Sequence, residues 1–247
     1  MTATISPPAG VPALLRTDPA DRLADYERAI AFYLGLPASI VDRVVFAENS
    51  GSDLSSLRRI AEERGEGKNV ELLTFNGLDY PVEYGRSVGE TRLIETALRR
   101  SRLLSALPPD KPFWKVTGRL RFTNIDRLVA TAPAGCELYV DFRRFPRRWV
   151  DTRVFACTPR AFTDLFVSRE ELMRQDVLDR SPYSAPEERL FEELMPLRDR
   201  ARIAPRLRLE PRIEGYSGHG ADYARATRRA WTAARATIRR LCPPLWI

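Results

Sequence analysis

Apolar residues recur at helical spacing along Leu23, Tyr26, Ile30, Tyr33 and Leu34, which predicts a helix with one packed face. Asp18 offers it an N-cap and Pro19 a first residue with a preset φ. Ahead of it, after a Pro-rich start, Val11 to Leu15 reads as a short strand ending at Arg16-Thr17-Asp18-Pro19. Val41 to Ala47 reads as a buried strand followed by the polar turn Glu48-Asn49-Ser50-Gly51-Ser52. Asp53 then caps a second helix whose inward face is Leu54, Leu57, Ile60 and Ala61, stopping near Gly65. Val70 to Phe75 is a third strand. Strands alternating with helices in this way predict a parallel α/β sheet.

The second half continues less regularly. Asn76 to Gly89 reads as a Gly-rich loop opening a helix through Leu93, Ile94, Ala97 and Leu98. Strands follow at Phe113 to Val116, Glu137 to Phe142 and Arg153 to Cys157, with a short helix at Asn124 to Val129. Three helical stretches come next: Ala161 to Phe166, Arg169 to Val177 and Pro186 to Leu197. Arg206 to Glu214 alternates like a strand and leads into Gly215-Tyr216-Ser217-Gly218-His219-Gly220. A last helix, Ala221 to Leu241, carries an apolar stripe at Tyr223, Ala230, Trp231, Ala234, Ile238 and Leu241. Arg225, Arg228, Arg229, Arg235, Arg239 and Arg240 fill much of its remaining surface.

The stretch Lys115 to Asn124 carries the densest candidate chemistry. It starts as a strand and breaks at Gly118 into a cationic turn, so Lys115, Thr117, Gly118, Arg119 and Asn124 reach the strand's carboxyl edge. In open α/β sheets that edge is where ligands bind. The loop Tyr84-Gly85-Arg86-Ser87-Val88-Gly89-Glu90 places two glycines before a helix, where backbone amides can approach an anion. No Gly-Lys-Ser/Thr follows it, so it is not a P-loop.

Composition narrows the partners. A net charge of +7 favours polyanions: nucleic acid, anionic lipid or phosphorylated small molecules. Cys136, Cys157 and Cys242 show no metal or disulfide spacing, and His219 is the only histidine. No signal peptide or membrane-spanning run is expected, and the expected home is the cytoplasm. A single domain over residues 1–247 is predicted, with one half over about 11–142, another over about 143–220, and the helix and tail at 221–247. That helix, basic and amphipathic, suits a peripheral contact with the anionic inner face of the plasma membrane.

Seven segments in order, RTDPADRLADY, AENSGSDLSSL, YGRSVGE, KVTGRLRFTN, VDTRVF, EERLF and EGYSGHGADY, resemble small bacterial glycosyltransferases of GT-A type that build capsule, O-antigen and related surface polysaccharides. They span most of Arg16 to Tyr223. The resemblance implies a GT-A-like, Rossmann-like fold: a mostly parallel central sheet flanked by helices, with helical C-terminal additions. It implies transfer of a sugar from a nucleotide-diphosphate donor to a hydroxyl of a glycan or lipid-linked acceptor. UDP-sugars, UDP-galactofuranose among them, are the donor candidates, with no organic cofactor.

Carried over residue by residue, the resemblance puts Arg16 and Asp18 near base and ribose, and Asn49 and Ser50 at the second strand's end. Gly85, Gly89 and Glu90 would line the donor. Lys115, Gly118, Arg119 and, at the end of the same stretch, Asn124 would handle phosphate or sugar. Members of the family usually hold Mn²⁺ or Mg²⁺ with Asp-x-Asp, whereas this chain has Asp141-Phe142-Arg143. Asp141 is then the metal candidate, with Arg143, Arg144 and His219 as substitute cations for the diphosphate. Glu188, with Glu187 and Asp151 as alternates, is the carboxylate expected to take the acceptor proton.

Three other readings compete. A nucleic-acid reader would need a recognisable reading element, and none is found, so no nucleic acid is expected. A nucleotidyltransferase would carry glycines directly after the first strand, where this chain has Arg-Thr-Asp-Pro. A catalytically dead scaffold is suggested only by the missing second aspartate.

Overall fold

β-Branched residues at the very start of the chain begin a strand earlier than the apolar pattern suggests. In the computed structural model, which describes residues 1–179 and 185–246, the first strand is β1 (Thr2–Ala3). Residues 11–15, expected as a strand, are irregular. Gly10 and Ala13 there adopt positive φ, and Pro12 has no N–H to donate to a ladder. Residues 180–184 and Ile247, the last residue of the expected tail, lie outside the described residues.

The elements then run α1 (Pro19–Leu34), β2 (Arg43–Glu48), α2 (Ser55–Arg64), β3 (Asn69–Thr74), α3 (Gly85–Arg100), α4 (Arg102–Ser105), β4 (Phe113–Val116) and β5 (Arg121–Phe122). They continue with α5 (Ile125–Ala130), β6 (Leu138–Arg143), β7 (Trp149–Cys157), α6 (Pro159–Leu165), α7 (Glu170–Asp179), α8 (Ala185–Leu194), β8 (Ile203–Ala204), β9 (Ile213–Glu214) and α9 (Ala226–Leu241). The chain divides into two compact, discontinuous units rather than near residue 142. One comprises Met1–Pro108, Val116–Arg121 and Gly215–Ala221; the other comprises Pro109–Lys115, Phe122–Glu214 and Asp222–Ile247.

The first unit holds a three-stranded parallel sheet in the order β1-β2-β3. Ile5, Tyr26, Ile30, Leu34, Val44, Phe46, Leu54 and Leu57 pack its core. α1 starts where Asp18 accepts from the amides of Ala20 and Asp21, and Pro19 leads it. α2 begins two residues after Asp53, whose carboxylate accepts from the Ser55 amide at 3.1 Å. α3 begins at Gly85, so Gly85 and Gly89 lie inside the helix and not in a loop ahead of it. The helix starts early because the 3-10 turn Val82–Tyr84 feeds directly into it, with Gly85 at φ 77.

The second unit is built on a four-stranded sheet, β4-β7-β6-β8, with β6–β7 antiparallel and β6–β8 parallel. The architecture is α/β, but the single, mostly parallel central sheet expected from the sequence is replaced by a parallel sheet and a mixed one. A two-stranded ribbon, β5 with β9, completes the pairing. β7 starts earlier than expected because Trp149 to Asp151 pair with Asp141 to Arg143 across the hairpin. The strand expected over Arg206 to Glu214 survives only at Ile213–Glu214, since the Leu207 and Arg208 amides donate to the side chains of Asp141 and Tyr139 and Pro211 has no N–H to give a ladder. Among the described residues, no helix is long and apolar enough to cross a membrane.

α9 begins five residues later than expected and docks with its polar side inward. Arg239 is buried and Arg235 half-buried, while Ala230, Trp231, Ala234 and Leu241 of the apolar stripe are exposed.

Candidate functional site

In the first unit the carboxyl ends of the three parallel strands are knitted by a buried carboxylate. Glu48, the last residue of β2, accepts from the amides of Ile5 at 3.0 Å, Ser50 at 2.9 Å and Ser52 at 3.1 Å. The hydroxyls of Ser50 and Thr74 donate to it as well. Beside it the Thr4 hydroxyl donates to Asn49 Oδ1 at 2.6 Å, and the Gly77 amide donates to the Asn49 carbonyl at 2.9 Å. Asn49 and Ser50 thus stand at the second strand's end, in a rim of hydroxyls and amides whose one buried acid is already saturated.

Two buried guanidiniums lie at the same end of β1. Arg22 is 3% exposed and Arg119 is 9% exposed. Arg22 donates from Nε to the Thr4 carbonyl at 2.7 Å and from Nη1 to the Arg16 carbonyl at 2.9 Å. Both arginines donate to the Tyr26 hydroxyl, Arg22 at 3.3 Å and Arg119 at 3.2 Å. Both also stand over the Tyr26 ring, 6.0 and 5.8 Å from its centre. Arg119 Nε is buried and makes no hydrogen bond. Every hydrogen-bond acceptor found for the pair is therefore a carbonyl or a phenol.

Asp25 on α1 offers little relief, because its carboxylate is held by Arg16 and Arg28. Burial, reinforced by Arg119, lowers the Arg22 pKa from its ordinary value. A buried charge without a counter-charge is costly, and an incoming anion would offset that cost.

The remaining expected residues of this unit have structural partners. Arg16, expected near a base, is tied to Asp25 and Asp21 and lies 4.5 Å from the centre of the Tyr216 ring. Asp18 spends its carboxylate capping α1. The Gly118 amide donates to the Thr2 carbonyl at 2.9 Å, and a Cβ there would stand 2.6 Å from that oxygen. Only glycine lets the cationic turn approach β1 so closely. Gly89 leaves room for the Tyr80 hydroxyl, which a Cβ would meet at 1.8 Å, so its role is packing against Tyr80 and not approach to an anion. Glu90 accepts from the Thr2 hydroxyl at 2.7 Å. His219 Nε2 lies 2.8 Å from Arg86 Nη2, and partial burial and Arg86 lower its pKa, which disfavours the cationic form.

The second unit contains the other expected residues in a different setting. Lys115 is buried and donates to the Thr152 carbonyl at 2.7 Å. Asn124 clamps the 210–212 segment, donating to the Glu210 carbonyl and accepting from the Arg212 amide. Asp141, Asp151 and Glu210 form a buried acidic group met by Arg143, Arg153, Arg235 and Arg239. Asp141 accepts from both Nη atoms of Arg239 at 2.8 Å and from the Leu207 amide at 3.3 Å. Burial opposes ionisation of Asp151, but Arg153 and Arg143 outweigh it and hold its pKa well below the carboxylate range.

An acid so held is a poor proton acceptor. Its engagement with Arg153 and Arg143 argues against Asp151 as a base. Glu187 and Glu188 lie in the first turn of α8, half-buried, with Glu188 Oε1 3.6 Å from Arg147 Nη1. Arg143 has its charge spent on Asp141, Asp151 and Glu210, and Arg144 stacks over Trp246 at 4.4 Å.

A divalent ion does not fit these residues as they stand. Asp141 gives its oxygens to arginines, and among the described residues no three His, Cys, Asp or Glu side chains gather as a metal-holding group. Of the expected residues, Asn49, Ser50, Gly118 and Arg119 share the strand-end region of the first unit. Arg22 and Tyr26 were missed there. Their spacing of four, which stacks them on one helical face, was the available signal. Arg153, Glu210 and Arg239 were missed in the second unit, where the pairing joins residues far apart in the chain. Comparison of the chain with family models, with curated proteins and with solved structures finds no match.

Proposed function

We propose that this chain is a glycosyltransferase of GT-A type that binds the diphosphate of a nucleotide-sugar donor at Arg22 and Arg119. The observation that supports this reading is the pair itself: two buried guanidiniums at the carboxyl end of a parallel sheet, bonded only to neutral acceptors. Transfer breaks the bond between the anomeric carbon and a diphosphate oxygen, and the electron pair leaves with the diphosphate. Preorganised cations stabilise that developing charge. The acceptor hydroxyl oxygen forms the new bond to the anomeric carbon and gives up its proton to a carboxylate base, a role proposed for Glu188 on the resemblance alone. Asn49, Ser50 and Thr4 supply hydroxyl and amide groups suited to ribose or sugar. The proposed acceptor is a hydroxyl of a surface glycan or of a lipid-linked oligosaccharide, with UDP as the proposed nucleotide.

The test is a thermal-shift and calorimetry panel of nucleoside diphosphates, with Mn²⁺ and with EDTA in parallel. Binding of UDP at micromolar affinity, lost in Arg119→Met while the unliganded melting point holds, is the expected result. A panel in which no nucleoside diphosphate binds the folded protein would overturn the reading.

A further inference from the structure

α9 presents the wrong side to solvent for an ordinary docked helix. At about 100° per residue, Ala230, Ala234, Thr237 and Leu241 centre on the side opposite buried Arg239. Trp231 and Ile238 border that strip on one side, and Arg229 and Arg240 on the other. Trp231 is 66% exposed and Leu241 72% exposed. The inward face is anchored by ion pairs instead of apolar burial: Arg239 reaches Asp141 and Glu210, and Arg235 Nε lies 2.8 Å from Glu210 Oε1.

The exposed strip has neighbours of the same character. Leu245 and Phe145 are exposed just beyond the helix end, where the Phe145 amide donates to the Trp246 carbonyl at 3.1 Å. Arg144 stacks on Trp246, and Arg225, Arg228, Arg229 and Arg240 are all exposed. α9 contains no Asp or Glu. The result is an exposed apolar ridge with Arg229 and Arg240 along one border and Trp231 on the other.

We propose that this ridge is a docking surface for an anionic lipid bilayer. Leu241, Leu245, Phe145 and Trp231 would enter the headgroup region while the flanking arginines meet lipid phosphates. Charge decides between occupants: α9 itself carries no acid, Arg240 lines one border beside Arg229, and the carboxylate next to that border, Glu214, is already engaged by Arg229 at 3.4 Å, so two copies face to face would set arginines against arginines. This surface lies wholly in the second unit and does not depend on the donor site proposed above.

The test is flotation of the full chain with vesicles of phosphatidylcholine alone and of phosphatidylcholine with phosphatidylglycerol at about 3:1. Recovery with the anionic vesicles and not with the neutral ones is expected. Trp231→Glu and Leu241→Glu, both at exposed positions, should each lower anionic-vesicle partitioning by about tenfold or more. Their melting points and nucleotide binding should stay unchanged. Sedimentation equilibrium of the same proteins supplies the competing outcome. Equal flotation of wild type and both variants would overturn the proposal. So would a wild-type dimer that Trp231→Glu dissociates, with no vesicle binding by either protein.

Discussion

The two units bury arginine in opposite ways. In the second, Arg143, Arg153 and Arg239 meet Asp141, Asp151 and Glu210 at salt-bridge distance, and the cluster joins β6, β7, the 207–210 segment and α9. In the first, Arg22 and Arg119 share a tyrosine and backbone carbonyls, and the Asp25 carboxylate of the same helix is taken by Arg16 and Arg28. A buried pair is a structural device that loses most when one partner is removed. A buried cation bonded to no carboxylate is a cost that the fold retains, and such costs concentrate at functional sites. One burial anchors a helix; the other is the place proposed for an anion.

Replacing one arginine in each unit by methionine should separate the two most sharply. Arg239→Met leaves Asp141 and Glu210 buried with less positive charge, and should destabilise by about 3–5 kcal/mol. Arg119→Met removes a charge bonded only to neutral groups, and should change stability by less than about 1 kcal/mol or raise it. Urea unfolding of both variants measures this. Equal losses would erase the distinction, and with it the reason to place an anion beside Arg119.

Acid should act on the second unit in particular. Asp151 has its folded pKa depressed from the ordinary 3.8, so its contribution is present above that value and is lost as pH falls through the folded pKa. Stability should therefore decline below about pH 4 with the near-ultraviolet signal of Trp149, which Arg143 and Arg153 both approach. Asp151→Asn should flatten that decline while lowering stability at neutral pH. An acid limb that is unchanged in this variant would remove the cluster from the account.

Gly118→Ala gives a smaller effect, of about 1–3 kcal/mol, because its Cβ would press on the Thr2 carbonyl, which is backbone and cannot swing aside. The same substitution at Gly89 meets the far end of the Tyr80 side chain rather than backbone, and should cost less. Hydrogen exchange at the β1 amides would show whether the cationic turn still seats on the strand in Gly118→Ala. Wild-type protection and wild-type unfolding there would mean the close approach is dispensable.

What the chain reveals in one dimension follows the range of the interactions. α1 was legible in full, because Asp18, Pro19 and the spacing from Leu23 to Leu34 are all local. β1 was not, since two residues carry no period and pairing of Thr2 with Ala47 decides it. Arg119 could be singled out from its own turn, but nothing near it in sequence announces Arg22 or Tyr26 as its neighbours. α9 was legible as a basic amphipathic helix but not in how it docks: Arg239 meets Asp141, 98 residues away, and that pairing turns the apolar stripe outward. Lys115 and Asn124 looked like ligand groups because they are polar at a strand's edge, whereas their partners, Thr152 and Glu210, lie far along the chain.

The smallest expected effect belongs to His219, and it sharpens the contrast from the first unit's side. Burial and Arg86 lower its folded pKa below the ordinary 6.5. As pH falls through 6.5 the unfolded chain therefore takes up a proton that the folded chain resists, so stability drops on acidification from there. The drop should stay within about 1 kcal/mol, because the burial of His219 is only partial and solvent screens Arg86. His219→Gln should remove this shallow slope between about pH 7 and 5 while leaving the steeper limb below about pH 4 intact. The same variant should leave nucleoside-diphosphate binding unchanged at pH 7, because a neutral imidazole contributes no charge to a diphosphate. Loss of binding in His219→Gln would give the histidine a contact that its pKa does not predict. The anion site would then extend beyond Arg22 and Arg119 to the 215–221 segment.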